Sequence, residues 1–235
     1  LRRALEAADL VICNSHFLIS KFSEFGFNTS RFVFIRQGLA DAPVRRDATN
    51  DSSKRLRLGY IGQIKYHKGV DLIINAVTAL CQQGNSVTLD VWGNETEEPL
   101  YVAKLKKASC VHNAVRWNGR YVGAEVVEVL NSIDVLVVPS RWYENSPNVI
   151  LEAFSAGIPV IATNLGGMAE MVQHGQNGLL FELNNPADLA TQIRRLLTEP
   201  GLLSQLRTGI PEIKKIDEEM QETFDLYQKL LKEWD

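Results

Sequence analysis

Glu144 and Glu152 stand eight residues apart, and Ser146-Pro147 between them reads as a helix start. Serine accepts at an N-cap and proline fits the first helical position, so the pair predicts an N-cap at Ser146. Val149, Ile150, Ala153 and Phe154 then give an apolar stripe that should stop at Gly157. At about 1.5 Å per helical residue, the two carboxylates are separated by roughly 10 Å along the axis. A pyrophosphate with a sugar at each end has about that reach. One carboxylate would accept hydroxyls of a transferred sugar and the other those of a nucleotide ribose, with the phosphates at the helix start between them. Read alone, Glu152 is a solvated helix residue, so the elements around the pair decide its meaning.

Those elements form a strand, a helix and a strand. Residues 135–138 and 159–162 are short β-branched runs, the first closed by Pro139, and the helix between them makes a parallel crossover. The helix start therefore lies at the carboxyl end of a parallel strand, where free amides and the helix dipole favour an anion. A second unit of this kind begins with a strand over 56–61 and a helix over 70–80. Gly62 and Gln63 open the loop GQIKYHKG between them, in which glycine lets backbone approach a phosphate and Lys68 adds a positive charge.

The run PSRWYENSPNVILEAFSAGIPVIATNLGG resembles the donor-site signature of the retaining glycosyltransferases of family four, enzymes of the two-domain GT-B type. GYIGQIKYHKGVDLIINAV is similar to that family's first strand, phosphate loop and helix, and ADLVICNSHFLISKF to the closing unit of its acceptor domain. The resemblance implies an α/β fold with a doubly wound, Rossmann-like parallel sheet of about six strands. It also implies transfer of a sugar from a nucleoside-diphosphate sugar to a saccharide or lipid-linked acceptor with retained configuration. No cofactor or metal is expected. On this basis Lys68 and Glu144 carry catalysis, Lys68 on the phosphate and Glu144 on the sugar, while Glu152 takes the ribose. Glu144→Gln is then expected to spare nucleoside diphosphate binding. Gly62, Gln63, Asn145, Ser146, Asn148 and Val149 complete the donor site, Tyr121 in the loop Arg120-Tyr121-Val122 packs on the base, and the amides of Gly166 and Gly167 face a sugar hydroxyl or phosphate. Glu170 is expected on an exposed helix face. Gln63 stands where the family commonly carries arginine, which shifts its charge to Lys65 or Arg141. Two other readings remain open: a sugar-nucleotide epimerase on the same donor domain, and a non-catalytic nucleotide-sugar module.

Across the 235 residues, 25 basic and 28 acidic side chains give no pull toward nucleic acid. No apolar run approaches the roughly 20 residues of a membrane span. A cytoplasmic protein is expected, with peripheral contact at the inner membrane face through an upstream domain. Cys13, Cys81 and Cys110 are too widely spaced for a disulfide framework or a zinc site. The chain opens at Leu1 inside a helical pattern, so a fragment is expected, one that binds donor without transferring sugar. Residues 1–39 read as the last unit of an acceptor domain, docked on the final helix, and 40–55, with the run TNDSSK, as the linker. Residues 56–210 read as the donor domain, and 211–235 as a helix crossing back, its apolar face made by Met220, Phe224, Tyr227, Leu230 and Leu231.

Overall fold

A computed structural model describes residues 2–40, 55–109, 113–121 and 125–232. Its first elements are α1 (Arg2–Glu6), β1 (Val11–Cys13), α2 (His16–Glu24) and β2 (Phe32–Phe34), and the two strands pair in parallel as a sheet of their own. Ser15 caps α2, its hydroxyl accepting the Leu18 amide at 3.1 Å. Most of the expected linker, residues 41–54, lies outside the described residues.

The main sheet begins with β3 (Leu56–Ile61), α3 (Val70–Gln82), β4 (Val87–Trp92), α4 (Pro99–Ser109) and β5 (Val115–Gly119). It continues with α5 (Val126–Asn131), β6 (Val135–Val138), α6 (Asn148–Ser155), β7 (Val160–Thr163), α7 (Gly166–Met171) and β8 (Gly178–Phe181). Three helices close the chain: α8 (Pro186–Thr198), α9 (Leu202–Thr208) and α10 (Ile216–Lys232). All six strands run parallel in the order β5-β4-β3-β6-β7-β8, as a doubly wound sheet requires.

Alternation along each strand sends side chains to two cores. In β6, Val135 and Val137 join the core under α3 and α8, while Leu136 and Val138 join the core under α5, α6 and α7. Helices thus cover both faces, and fully buried strands explain why the runs read as continuously apolar. Strand order reverses between β3 and β6, which opens a crevice at their carboxyl ends.

Several elements differ from expectation. α9 carries only Leu202 and Leu206 inward, too short an apolar period to stand out in sequence. α10 starts at Ile216, within the expected 211–235 segment rather than at its beginning, because Leu39 holds the preceding backbone, accepting the Ile216 amide and donating to the Lys214 carbonyl, each at 3.0 Å. Its Met220, Phe224, Tyr227 and Leu231 are 54–69% exposed, so this face covers none of the described core.

The N-terminal unit was expected to dock on the final helix; it meets the first turns of α10, where Glu219 accepts the Gly38 amide at 2.8 Å, but its main anchor is α7. Glu170 accepts the Phe17 amide at 2.9 Å and pairs with Arg36 at 2.5 Å, and the Phe17 ring stacks on Tyr143. Glu170 is therefore a clamp rather than an exposed helix residue, because α2 lies across it.

Candidate functional site

The crevice between β3 and β6 is a cavity of about 480 Å³. Gly62, Gln63 and Lys68 line it from the loop after β3, and Tyr121 from the segment after β5. Glu144, Ser146, Asn148, Val149 and Glu152 line it from the loop after β6 and from α6. Val122, in the same predicted loop as Tyr121, lies outside the described residues.

Lys68 closes a single 3₁₀ turn (Tyr66–Lys68) that is pressed against the end of β6. Gly69 follows it at φ 73°, and a Cβ there would meet the Pro139 carbonyl oxygen at 2.0 Å, so only glycine allows this approach. The approach brings Lys68 Nζ to 2.7 Å from Glu144 Oε1, although the residues are 76 positions apart. Ser140 Oγ donates to the same oxygen at 2.9 Å. Both charged side chains are mostly enclosed, at 27% and 18% exposure.

At α6 the predicted cap is corrected. The boundary residue is Pro147, with ψ 114°, and no side chain caps the first amides of the helix. Ser146 Oγ is buried without a hydrogen-bond partner. A pyrrolidine already at the helix boundary leaves the serine one residue too early to reach the first-turn amides. Uncapped amides, the dipole and an unpartnered hydroxyl together favour an oxygen-rich anion at this point.

Glu152 lies in the second turn of α6, and residues 144–147 are not helical, so a helical rise does not set its distance from Glu144. Among the described residues nothing donates to its carboxylate, and burial pushes its pKa up. Burial also raises the Tyr121 hydroxyl, with a smaller push from the Glu152 charge, which puts that phenol near the same wall.

Three predicted residues do not line the cavity. The Gly167 amide donates to the Glu144 carbonyl at 2.7 Å, and a Cβ on Gly167 would meet the Asn145 carbonyl oxygen at 1.7 Å. Gly166 sits against the Glu144 carbonyl and Phe17, and Asn145 Oδ1 accepts from Ser15 Oγ at 2.5 Å. These residues hold the Glu144 loop in place; the Gly167 amide is not open to a ligand. The two substitutes for the missing arginine are also committed elsewhere. Lys65 pairs with Glu97 at 2.8 Å, and Arg141 grips Asp71 with two bonds of 2.8 Å. Burial opposes ionisation of Asp71, but the bonds from Arg141 and Tyr101 outweigh it and hold the carboxyl below its ordinary range.

Ser140 and Tyr60 were not anticipated. The Tyr60 hydroxyl donates to the Gln63 carbonyl at 2.6 Å and so fixes the loop that faces the cavity. The only sequence signal for Ser140 is its place directly after the proline that ends β6. Among the described residues there is no cluster of three or more His, Cys, Asp or Glu that could hold a metal, and no helix is long and apolar enough to cross a membrane.

A doubly wound parallel sheet with this crevice is the fold of GT-B glycosyltransferase structures. A sucrose-phosphate synthase from Thermosynechococcus elongatus superposes with a TM-score of 0.82 at 22% identity, over 98% of this chain and 60% of that one. Anabaena Alr3699/HepE, solved in complex with UDP and glucose, gives 0.82 at 21% identity, over 96% and 64%. In sequence, a glycogen synthase of Mycobacterium tuberculosis is 30% identical over 196 residues, 83% of this chain and 47% of that protein. A D-inositol 3-phosphate glycosyltransferase of Streptomyces bingchenggensis is 30% identical over 70% of the chain and 40% of its own length. The family described as Glycosyl transferases group 1 matches residues 55–199, and the chain belongs to it. The chain spans about half the length of the curated relatives it matches.

Proposed function

We propose that this chain is the donor-binding part of a retaining glycosyltransferase of family four, which moves a sugar from a nucleoside-diphosphate sugar to a saccharide or lipid-linked acceptor. The observation that carries the reading is the convergence on one cavity of an uncapped helix start, the Lys68–Glu144 pair and the unpartnered Glu152. Departure of the diphosphate builds negative charge on phosphate oxygens, and Lys68 with the amides at Asn148 and Val149 stabilises that charge. Glu144 accepts hydroxyls of the transferred sugar. Glu152 accepts the ribose hydroxyls, which supply the donors it lacks, and Tyr121 packs beside the base. No step in this scheme calls on a metal.

Residues 56–210 are the donor domain in this reading, 1–39 the last unit of an acceptor domain, and 211–235 the helix that crosses back to it. The exposed apolar face of α10 fits that crossing. Transfer needs an acceptor oxygen held about 3–3.5 Å from the anomeric carbon in a closed cleft. The chain alone therefore binds donor and does not transfer sugar. A thermal-shift panel of uridine, guanosine and adenosine diphosphates with their sugars is the test, and at least one should raise the melting temperature. Absence of binding by every one at millimolar concentration, checked by calorimetry, rejects the reading. Epimerisation of the sugar nucleotide without acceptor would favour an epimerase instead.

A further inference from the structure

We propose that Glu144 is a built-in competitor of the diphosphate, so that the site holds an intact nucleotide sugar in preference to the free nucleoside diphosphate. The inference rests on the donor-site reading above and adds a discrimination between substrate and product. Lys68 is the one cation lining the cavity among the described residues, and it is already paired at 2.7 Å with Glu144. Gln63 brings no charge, and Lys65 and Arg141 are held by Glu97 and Asp71. A diphosphate at the start of α6 must therefore draw Lys68 away from Glu144.

What happens to the released carboxylate differs between the two ligands. With nucleoside diphosphate alone, Glu144 keeps only the Ser140 hydroxyl and faces a new anion at close range in a poorly hydrated corner. Like charges there repel, and an under-partnered carboxylate is costly. With the sugar attached, its hydroxyls donate to Glu144 and replace Lys68 as partners. The same carboxylate thus opposes the product and favours the substrate. Retention of product by Lys68 is weakened as soon as the sugar has left. This alters the expectation that Glu144→Gln leaves nucleoside diphosphate binding unchanged.

The test is calorimetric titration of the 235-residue chain with UDP and with UDP-glucose, in wild type and in Glu144→Gln. UDP should bind roughly five- to tenfold more tightly to Glu144→Gln, and UDP-glucose roughly tenfold more weakly. In a Lys68→Ala background the gain for UDP should vanish, because the competition is for that lysine. Glu152→Gln should weaken UDP, which separates this effect from general relief of negative charge. Glu144→Ala carries the same expectation for UDP and serves if the glutamine variant does not fold. If wild type binds UDP and neither Glu144 variant tightens it, the competition is refuted while the donor site stands. If wild type binds neither ligand, both readings fall.

Discussion

Of the two glutamates that line the cavity, Glu144 has two donors, Lys68 and Ser140, while Glu152 has none among the described residues. Both are glutamates on the same stretch of chain, yet the first is satisfied before any ligand arrives and the second is not. A satisfied ion pair supports the empty fold and must be broken for binding. An unpartnered, half-buried carboxylate burdens the empty fold and is relieved by binding. The contrast separates residues that position the loops from residues that wait for a ligand.

The largest effect is expected from removing Lys68, the one cation that lines the cavity among the described residues. In a form of the protein that transfers sugar, Lys68→Ala should lower kcat by about 10²–10³-fold with a smaller change in donor affinity, read from steady-state kinetics. An equal loss in both would make Lys68 a binding residue only.

Next is Glu152→Gln. Loss of the charge that strengthens its bonds to ribose should cost about 1.5–3 kcal/mol of UDP affinity by calorimetry. The same change should raise the melting temperature of the empty chain by about 1–2 °C, since an amide removes the ionisation penalty. Weaker binding together with lower stability would mean that Glu152 has a structural partner.

The pH dependence follows from the raised pKa of Glu152. Below the ordinary carboxylate range the group is protonated in both folded and unfolded chains and costs nothing. As pH rises through the folded value, ionisation in the half-buried site opposes folding. The stability advantage of Glu152→Gln should therefore be absent at acid pH and grow toward neutrality. The ratio of wild-type to variant UDP affinity should grow in the same direction, with the titration of UDP itself cancelling.

The smallest effect concerns the loop supports. Asp71→Asn leaves Arg141 without its charge partner and should lower the melting temperature by about 2–4 °C while changing UDP affinity less than threefold. A larger loss of affinity would show that the Arg141–Asp71 clamp sets the position of Lys68.

Strands and the crevice were legible because fully buried parallel strands demand β-branched runs such as 135–138, and the helix start after β6 followed from them. The Lys68–Glu144 pair was not. It depends on the contact of Gly69 with Pro139 between segments far apart in the chain, and local patterns carry no record of that contact. Ser146 was misread because Ser-Pro at a helix start resembles a cap, whereas the extended ψ of Pro147 moves the boundary on by one residue. Gly166, Gly167 and Asn145 belong to the loop framework for a related reason. A motif shows that glycine and a polar residue stand there, and packing alone decides which amides remain open.

Hydrogen exchange of the chain with and without saturating UDP tests the central claim most directly, since it locates the ligand as well as detecting it. Amides of residues 62–69, of Ser146 and of residues 148–152 should become protected, with the outer edge at β5 and the helices α8 and α9 unchanged. Binding of UDP that leaves the start of α6 and the Lys68 turn unprotected, or that protects a different face of the sheet, would contradict the account.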